Sequence, residues 1–312
     1  MKIFVLKVIA FVIIFFVLAT LLQNIIDRGL RKAPENKEIN DIISSDINAG
    51  ILIQGSSRAK RHISTLVLDS VFKMNSYNLG LPAYNFIMQY YQFLLYLKYN
   101  TPPKYIIQNI DPRTFRKDRY LVNYEQFLPF LDDRLIKKAV VSYHGLDWKD
   151  FYIPLYKYHS VYHLVYEGIK NNISKPQPDN NDHKGYEPID SLCDPSFGSY
   201  LLNNPQGYRM EVDSLTLNYF KSFIDTCKAK KITVILVYTP EYYRAQKMLL
   251  NRDSIISLFK NYSSLYNLTL LDYSQDSICH DSVNFYNYQH LNKIGVKKFN
   301  SKLARDLKDL IK

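Results

Sequence analysis

The chain has 312 residues, of which 47% are hydrophobic, and a formal net charge of +11 at pH 7. That apolar content excludes disorder along most of the length, and the length allows one large domain or two ordinary ones. The positive charge does not read as a nucleic-acid surface. No run of five basic residues occurs, and the lysines are scattered among tyrosines and acids. Attraction to anionic lipid headgroups or an acidic polysaccharide fits better. Cys193, Cys227 and Cys279 lack metal-ligand spacing, and their odd number forms no complete disulfide framework, so they are expected as small buried apolar residues.

At the N-terminus an apolar run extends from Ile3 to Leu22, interrupted by Lys7. As a helix it would span roughly 30 Å, the thickness of bilayer hydrocarbon, with Lys7 near enough to its end to snorkel. A cleaved signal peptide competes with this reading. The run is followed by Gln23, Asn24, Ile25, Ile26 and Asp27, however, with no small-x-small cleavage site and no lipobox cysteine. An uncleaved anchor over residues 1–26 is therefore expected. Lys2 and Lys7 on one side and Arg28, Arg31 and Lys32 on the other do not decide its orientation. Residues 27–47, polar and charged with Pro34, read as a linker that lifts a domain over 48–312 off the membrane.

The folded part opens with Gly50-Ile51-Leu52-Ile53-Gln54, a short buried strand ending at Gly55-Ser56-Ser57. Helical spacing resumes over 58–72. A strand is expected over 76–79, a helix over 85–99 up to Pro102-Pro103, and a third strand over 104–110. The alternation returns with a helix over 213–230, a strand over 232–238, a helix over 253–265, a strand over 268–272 and a closing helix over 293–312. Apolar strands alternating with helices require a parallel sheet covered on both faces. The expected fold is α/β, a doubly wound five-stranded sheet in the order 2-1-3-4-5.

Residues 114–212 do not continue the alternation and read as a mainly helical insertion. Leu155, Tyr158, Tyr162, Val165 and Ile169 recur at helical spacing and define one apolar face. These tyrosines either pack the insertion onto the sheet or offer a stacking platform for a sugar. The polar stretch 171–190, with Pro176 and Pro178, reads as a mobile loop.

In such a sheet, ligands sit beyond the carboxyl ends of the strands. The first strand delivers Ser57 there, just before a helix whose N-terminal N–H groups could hold an oxyanion. Gly80 follows the second strand, and Asn109 and Asp111 the third. The last loop carries Asn287-Tyr288-Gln289-His290, and His290 is the histidine that this topology brings to the same edge as Ser57. A serine hydroxyl becomes an effective nucleophile when an imidazole removes its proton, so a convergent Ser and His is the minimal arrangement for acyl transfer. The other histidines show no metal-ligand grouping beyond His159 and His163 at i and i+4, with no accompanying carboxylate motif, and no metal site is expected.

GSSRAKRHI after a short strand, YNLGLPAYN, PPKYIIQNIDPRTF and YNYQHLNKIG before the last helix resemble the SGNH (GDSL-like) superfamily of esterases and acyltransferases. The resemblance covers about residues 50–113 and 213–312. It looks closest to the membrane-anchored bacterial branch that includes the D-alanyl-transfer proteins of teichoic acid synthesis and the alginate O-acetylation proteins. It implies Ser57 as nucleophile, His290 as general base, and Ser57, Gly80 and Asn109 as oxyanion donors, although the G-x-N-D pattern around Asn109 is absent. Where the family has an aspartate three residues before the histidine, this chain has Asn287. Arg58 and Arg113 are candidates to bind a substrate carboxylate or phosphate.

The resemblance also implies a bacterial cytoplasmic membrane location with the large domain extracytoplasmic. The expected activity is ester hydrolysis or O-acyl transfer on a cell-envelope glycan, needing no metal or organic cofactor, with a multi-pass membrane acyltransferase as a possible partner. The rival expectation is a catalytically impaired protein of the same fold that binds glycan or such a partner.

Overall fold

The structure, a computed structural model, describes residues 1–174, 183–194, 197–203 and 205–312. Short apolar runs bounded by turn residues form the strands β1 Ile51–Gln54, β2 Ser76–Asn78, β3 Tyr105–Asn109, β4 Thr233–Tyr238 and β5 Thr269–Asp272. They make one parallel sheet in the order β2-β1-β3-β4-β5, with Ile53 paired to Asn78 on one side and to Ile107 on the other. Every residue of β1 and β3 is buried, which is why both read as nearly continuous apolar runs. Strand order reverses between β1 and β3, and the crevice that a ligand can enter opens beyond their carboxyl ends.

Alternate residues of the central strands serve opposite faces of the sheet. Ile51 and Ile53, Tyr105 and Ile107, and Ile235 and Val237 share a core with Ala59, Ile63 and Leu68 and with Phe299 and Leu303 of the last helix. A second cluster is aromatic. Phe86 and Phe93 of helix Phe86–Tyr99 meet Phe220 and Phe223 of helix Ser214–Ala229 edge to face, with centroids 4.8–5.4 Å apart.

The helix expected over 58–72 is two helices, Ser57–His62 and Thr65–Phe72. Ile63 is extended between them, and the Ser64 side chain caps the second by accepting from Val67 N–H. This break leaves His62 buried at the end of the first helix. Helix Tyr243–Met248 lies in a stretch for which no element is expected from sequence.

The chain divides into two compact units, Met1–Ser44 with Arg119–Asp179, and Ser45–Asp118 with Asn180–Lys312. The stretch expected as one insertion is thus shared between them. In the second unit, part of the expected mobile loop is fastened to β2: the Lys184 carbonyl accepts from Asn78 N–H at 2.9 Å. Gly185, at φ +78, lies so close that a Cβ would stand 1.9 Å from the Asn78 carbonyl oxygen. Residues 175–182 of that loop lie outside the described residues. Cys227 and Cys279 are buried as expected, whereas Cys193 is exposed.

In the first unit the N-terminal helix Lys2–Arg31 runs well past the apolar stretch, and by length and composition it could cross a membrane or serve as a signal sequence. Its extension into the expected linker is held by burial of Ile26 and Leu30 and by Asp27, which accepts from Lys157 Nζ at 2.9 Å and from the Tyr158 hydroxyl. A further helix, Lys37–Ile43, buries Ile39 and Ile42. The single helical face expected through Leu155 and Ile169 does not form. Leu155 is left-handed at φ 66, Tyr156–Tyr158 is a 3-10 turn, and the helix begins at Tyr162. It runs to Ile173, buries Leu164 and Gly168, and leaves Tyr162 and Ile169 exposed.

Candidate active site

Ser57 is the first residue of helix Ser57–His62, directly after β1 and the turn at Gly55. Gly55 has φ +144, and a Cβ there would lie 2.7 Å from Asn109 Cβ, so β1 can turn against the end of β3 only with glycine in that position. Ser56 caps the helix and its hydroxyl donates to Asp111 Oδ2 at 2.5 Å. Asp111 also accepts from Arg113 N–H at 2.8 Å, tying the loop after β3 to the turn after β1. The Ser57 N–H has no acceptor among the described residues.

Ser57 Oγ lies 2.8 Å from His290 Nε2. On the other side of the ring, His290 Nδ1 lies 3.1 Å from Asn287 Oδ1. Asn287 Oδ1 also accepts from the backbone N–H groups of Gln289 at 3.0 Å and His290 at 2.9 Å. Two donors converging on that atom identify it as the amide oxygen rather than the NH2 group, which would repel them. The imidazole therefore carries its proton on Nδ1 and turns the Nε2 lone pair to the serine hydroxyl. Burial, with Arg61, Arg58 and Arg113 adding repulsion, pushes the His290 pKa down to about 3. The imidazole is thus neutral at physiological pH.

The remaining predicted residues are placed differently. Gly80 N–H donates to Asn78 Oδ1 at 2.9 Å, and a Cβ on Gly80 would lie 2.4 Å from Lys60 N, so this glycine serves close packing of the β2 turn against the serine helix. Asn109 is buried, and its Nδ2 donates to the Val237 carbonyl at 3.1 Å across the end of β4. Two of the three expected oxyanion donors, Gly80 and Asn109, are therefore already engaged. Arg58 is also buried and engaged: Nε donates to Thr239 Oγ1 at 3.2 Å, and Nη2 to the Thr239 carbonyl and to the Pro240 carbonyl at 3.2 Å. Its Nη1 lies 3.8 Å from Glu241, and its guanidinium stacks over the Tyr238 ring. Half-buried Arg113 differs, because its guanidinium has no protein partner among the described residues. Ser57, Arg58, Tyr84, Arg113, Met210 and Gln289 are among the residues lining one recess.

Two residues that hold this geometry escape sequence reasoning. His62, fully buried, accepts Leu291 N–H on Nε2 at 3.0 Å and so must carry its proton on Nδ1, which it donates to Thr239 Oγ1 at 3.0 Å. It binds the residue next to His290, and the two rings meet edge to face at 5.9 Å. Asn78 Nδ2 donates to the carbonyls of Ala59 and Ile63 at 2.8 and 2.9 Å, joining β2 to the serine helix. For Asn78 the sequence signal is a polar residue between Tyr77 and Leu79, whereas His62 follows Lys60 and Arg61 and gives none, its partners lying 229 and 177 positions away.

Fold and site together define a doubly wound α/β protein with a Ser-His-Asn constellation at the carboxyl edge of its sheet. No protein-family model matches the chain, and no curated protein matches it in sequence. Among solved structures it is similar to a GDSL-like lipase from Bacteroides thetaiotaomicron, at 12% identity and TM-score 0.38, covering 83% of this chain and 88% of that one. A protein assigned as an acylhydrolase from Bacteroides fragilis gives 10% identity and TM-score 0.40, with 84% and 88% covered. One ascribed to the lipolytic G-D-S-L family, from Desulfitobacterium hafniense, gives 12% and 0.41, with 82% and 98% covered. Likeness at this level says nothing of what this chain acts on.

Proposed function

We propose that the protein is a membrane-tethered SGNH-like esterase or O-acyltransferase acting on acyl esters of a cell-envelope glycan. The observation that carries the reading is the 2.8 Å contact between Ser57 Oγ and an imidazole nitrogen whose proton sits on the opposite side of the ring. As Ser57 Oγ attacks an ester carbonyl carbon, its proton passes to His290 Nε2, and the developing oxyanion turns to the Ser57 N–H. The imidazolium then returns that proton to the departing alcohol, leaving acyl-Ser57. Water or a sugar hydroxyl attacks next, giving its proton to His290, and Ser57 is regenerated with the proton that His290 hands back. The exposed apolar residues of the N-terminal helix support a bilayer tether; in this reading the large domain stands outside the cytoplasmic membrane and a multi-pass acyltransferase supplies acyl groups.

A second reading, a catalytically impaired binder of glycan or of such a partner, is favoured by the uncharged Asn287 and by the engaged Gly80 N–H and Asn109 amide. Hydrolysis of p-nitrophenyl acetate by the purified full chain separates the two. The enzyme reading expects turnover that Ser57→Ala abolishes; equal rates from wild type and the variant leave the binder.

A further inference from the structure

Helix Tyr162–Ile173 has three faces rather than two. Leu164 and Gly168 are buried, with Val165 half-buried beside them, and His163, Glu167, Lys170 and Ser174 form an exposed polar face. The third face carries Tyr162, Tyr166, Ile169 and Ile173, at spacings that place them in one row. They are 74%, 69%, 39% and 86% exposed. A helix on a water-facing surface turns such a row inward. Here the inward face is taken by small and aliphatic residues packed on the N-terminal helix.

That packing gives the helix a direction. A Cβ on Gly29 would lie 1.7 Å from the Gly168 carbonyl oxygen, and one on Gly168 would lie 2.7 Å from that of Ile26. One turn later, Asn172 Nδ2 donates to the Ile25 carbonyl at 2.7 Å. Asn172 Oδ1 also accepts from Lys32 Nζ at 3.1 Å, so the helix runs alongside the N-terminal helix in the same direction, away from the apolar run that ends at Leu22, and Tyr162 stands at the end nearest that run. Leu22 and Ile25 are themselves exposed, so the row continues the bare apolar surface of the N-terminal helix. Exposed Arg28, Lys32 and Lys170 accompany it with positive charge.

We propose that the Tyr162, Tyr166, Ile169 and Ile173 face is immersed in the interfacial layer of the bilayer, with the lysines and arginine among anionic headgroups. This rests on the reading of the N-terminal helix as a membrane span. Tyrosine, apolar in its ring and polar at its tip, is suited to the headgroup level beside the end of the apolar run. Depth increases in the order Ile173, Ile169, Tyr166, Tyr162. The helix fixes how far the N-terminal helix can sink and which way it is rotated.

The test uses the full chain with Cys193→Ser, reconstituted in vesicles of phosphatidylcholine and phosphatidylglycerol. Nitroxide labels are placed singly through Tyr162→Cys, Tyr166→Cys, Ile169→Cys, Ile173→Cys, His163→Cys, Glu167→Cys and Phe15→Cys, and collision rates with oxygen and with a water-soluble nickel chelate are compared. Labels on the tyrosine and isoleucine face should collide several-fold more with oxygen and less with nickel than those at 163 and 167, with the contrast growing toward 162. If Phe15 reports hydrocarbon while 162, 166 and 169 report nickel, the proposal is overturned and the span stands. Nickel access at Phe15 overturns the span and the proposal together. Exclusion of both collision partners at 166 and 169 also overturns it, because protein then covers the face.

Discussion

His290 Nε2 stands 2.8 Å from Ser57 Oγ although 233 positions separate the two residues. Three side chains maintain that approach. His62, on the serine helix, holds Leu291 N–H, while Asn300, on the last helix, accepts from Ser64 N–H at 2.9 Å and donates to the His62 carbonyl at 2.7 Å. Asn287 sets the ring's rotation. Nucleophile and base are thus positioned by hydrogen bonds between their own helices as well as by the sheet.

Asn287 preserves the tautomer that a triad needs and lacks only the charge that stabilises imidazolium. A hydrogen bond to a charged acceptor exceeds one to a neutral acceptor by about 1–2 kcal/mol, or roughly 5–30-fold in rate. Asn287→Asp is expected to raise kcat on p-nitrophenyl acetate by that order, because its carboxylate can still accept from Gln289 and His290 N–H. A lower kcat with the fold intact would mean that the amide is not standing in for a carboxylate.

The pH profile follows from the neutral imidazole. The base works deprotonated, and its pKa is held down at about 3, so kcat/KM loses activity only as pH falls below about 4 instead of near 6.5. In Asn287→Asp the added negative charge favours imidazolium, and the acidic limb moves to higher pH. Stability depends on the same groups. His62 and His290 are both held well below the ordinary histidine range by burial, so between pH 6.5 and the folded values the unfolded chain binds more protons. Their contribution is present above pH 6.5 and is lost as pH falls below it, for His290 down to about 3, and the urea midpoint is expected to drop between pH 7.5 and 5.

The sheet was legible because β1, β3, β4 and β5 are short runs rich in Ile, Leu, Val and Tyr between turn residues, and because helices fill most of the intervals. Ser57 and His290 were legible from topology: each follows or precedes an element at the same edge. Arg58, Asn109 and Gly80 read as groups facing a substrate because they stand at that edge or within four residues of it, a distance at which a side chain can equally turn back to the sheet. The Thr239 and Val237 carbonyls that claim Arg58 and Asn109 are backbone atoms of β4 and its turn, and no residue type announces them. In the first unit, Ile26, Ile39 and Ile42 are too few among charged residues to signal burial, and Gly168, which lies against Ile26, is distant in the chain.

His62 offers a check on positioning. His62→Phe leaves Leu291 N–H without its acceptor, a loss of about 1–3 kcal/mol, and frees the loop carrying His290. Both the urea midpoint and the rate of Ser57 acylation should fall, and His62→Gln, whose Oε1 can accept the same N–H, should recover part of each. Unchanged acylation in a destabilised His62→Phe would confine His62 to the core.

The most direct measurement is covalent modification by a fluorophosphonate, located by peptide mass spectrometry in the wild-type chain and in Ser57→Ala and His290→Ala. The predicted result is one adduct on Ser57, absent from Ser57→Ala and formed about 10³-fold more slowly in His290→Ala. No adduct on the folded wild type, or one that persists in Ser57→Ala, would contradict the proposed chemistry.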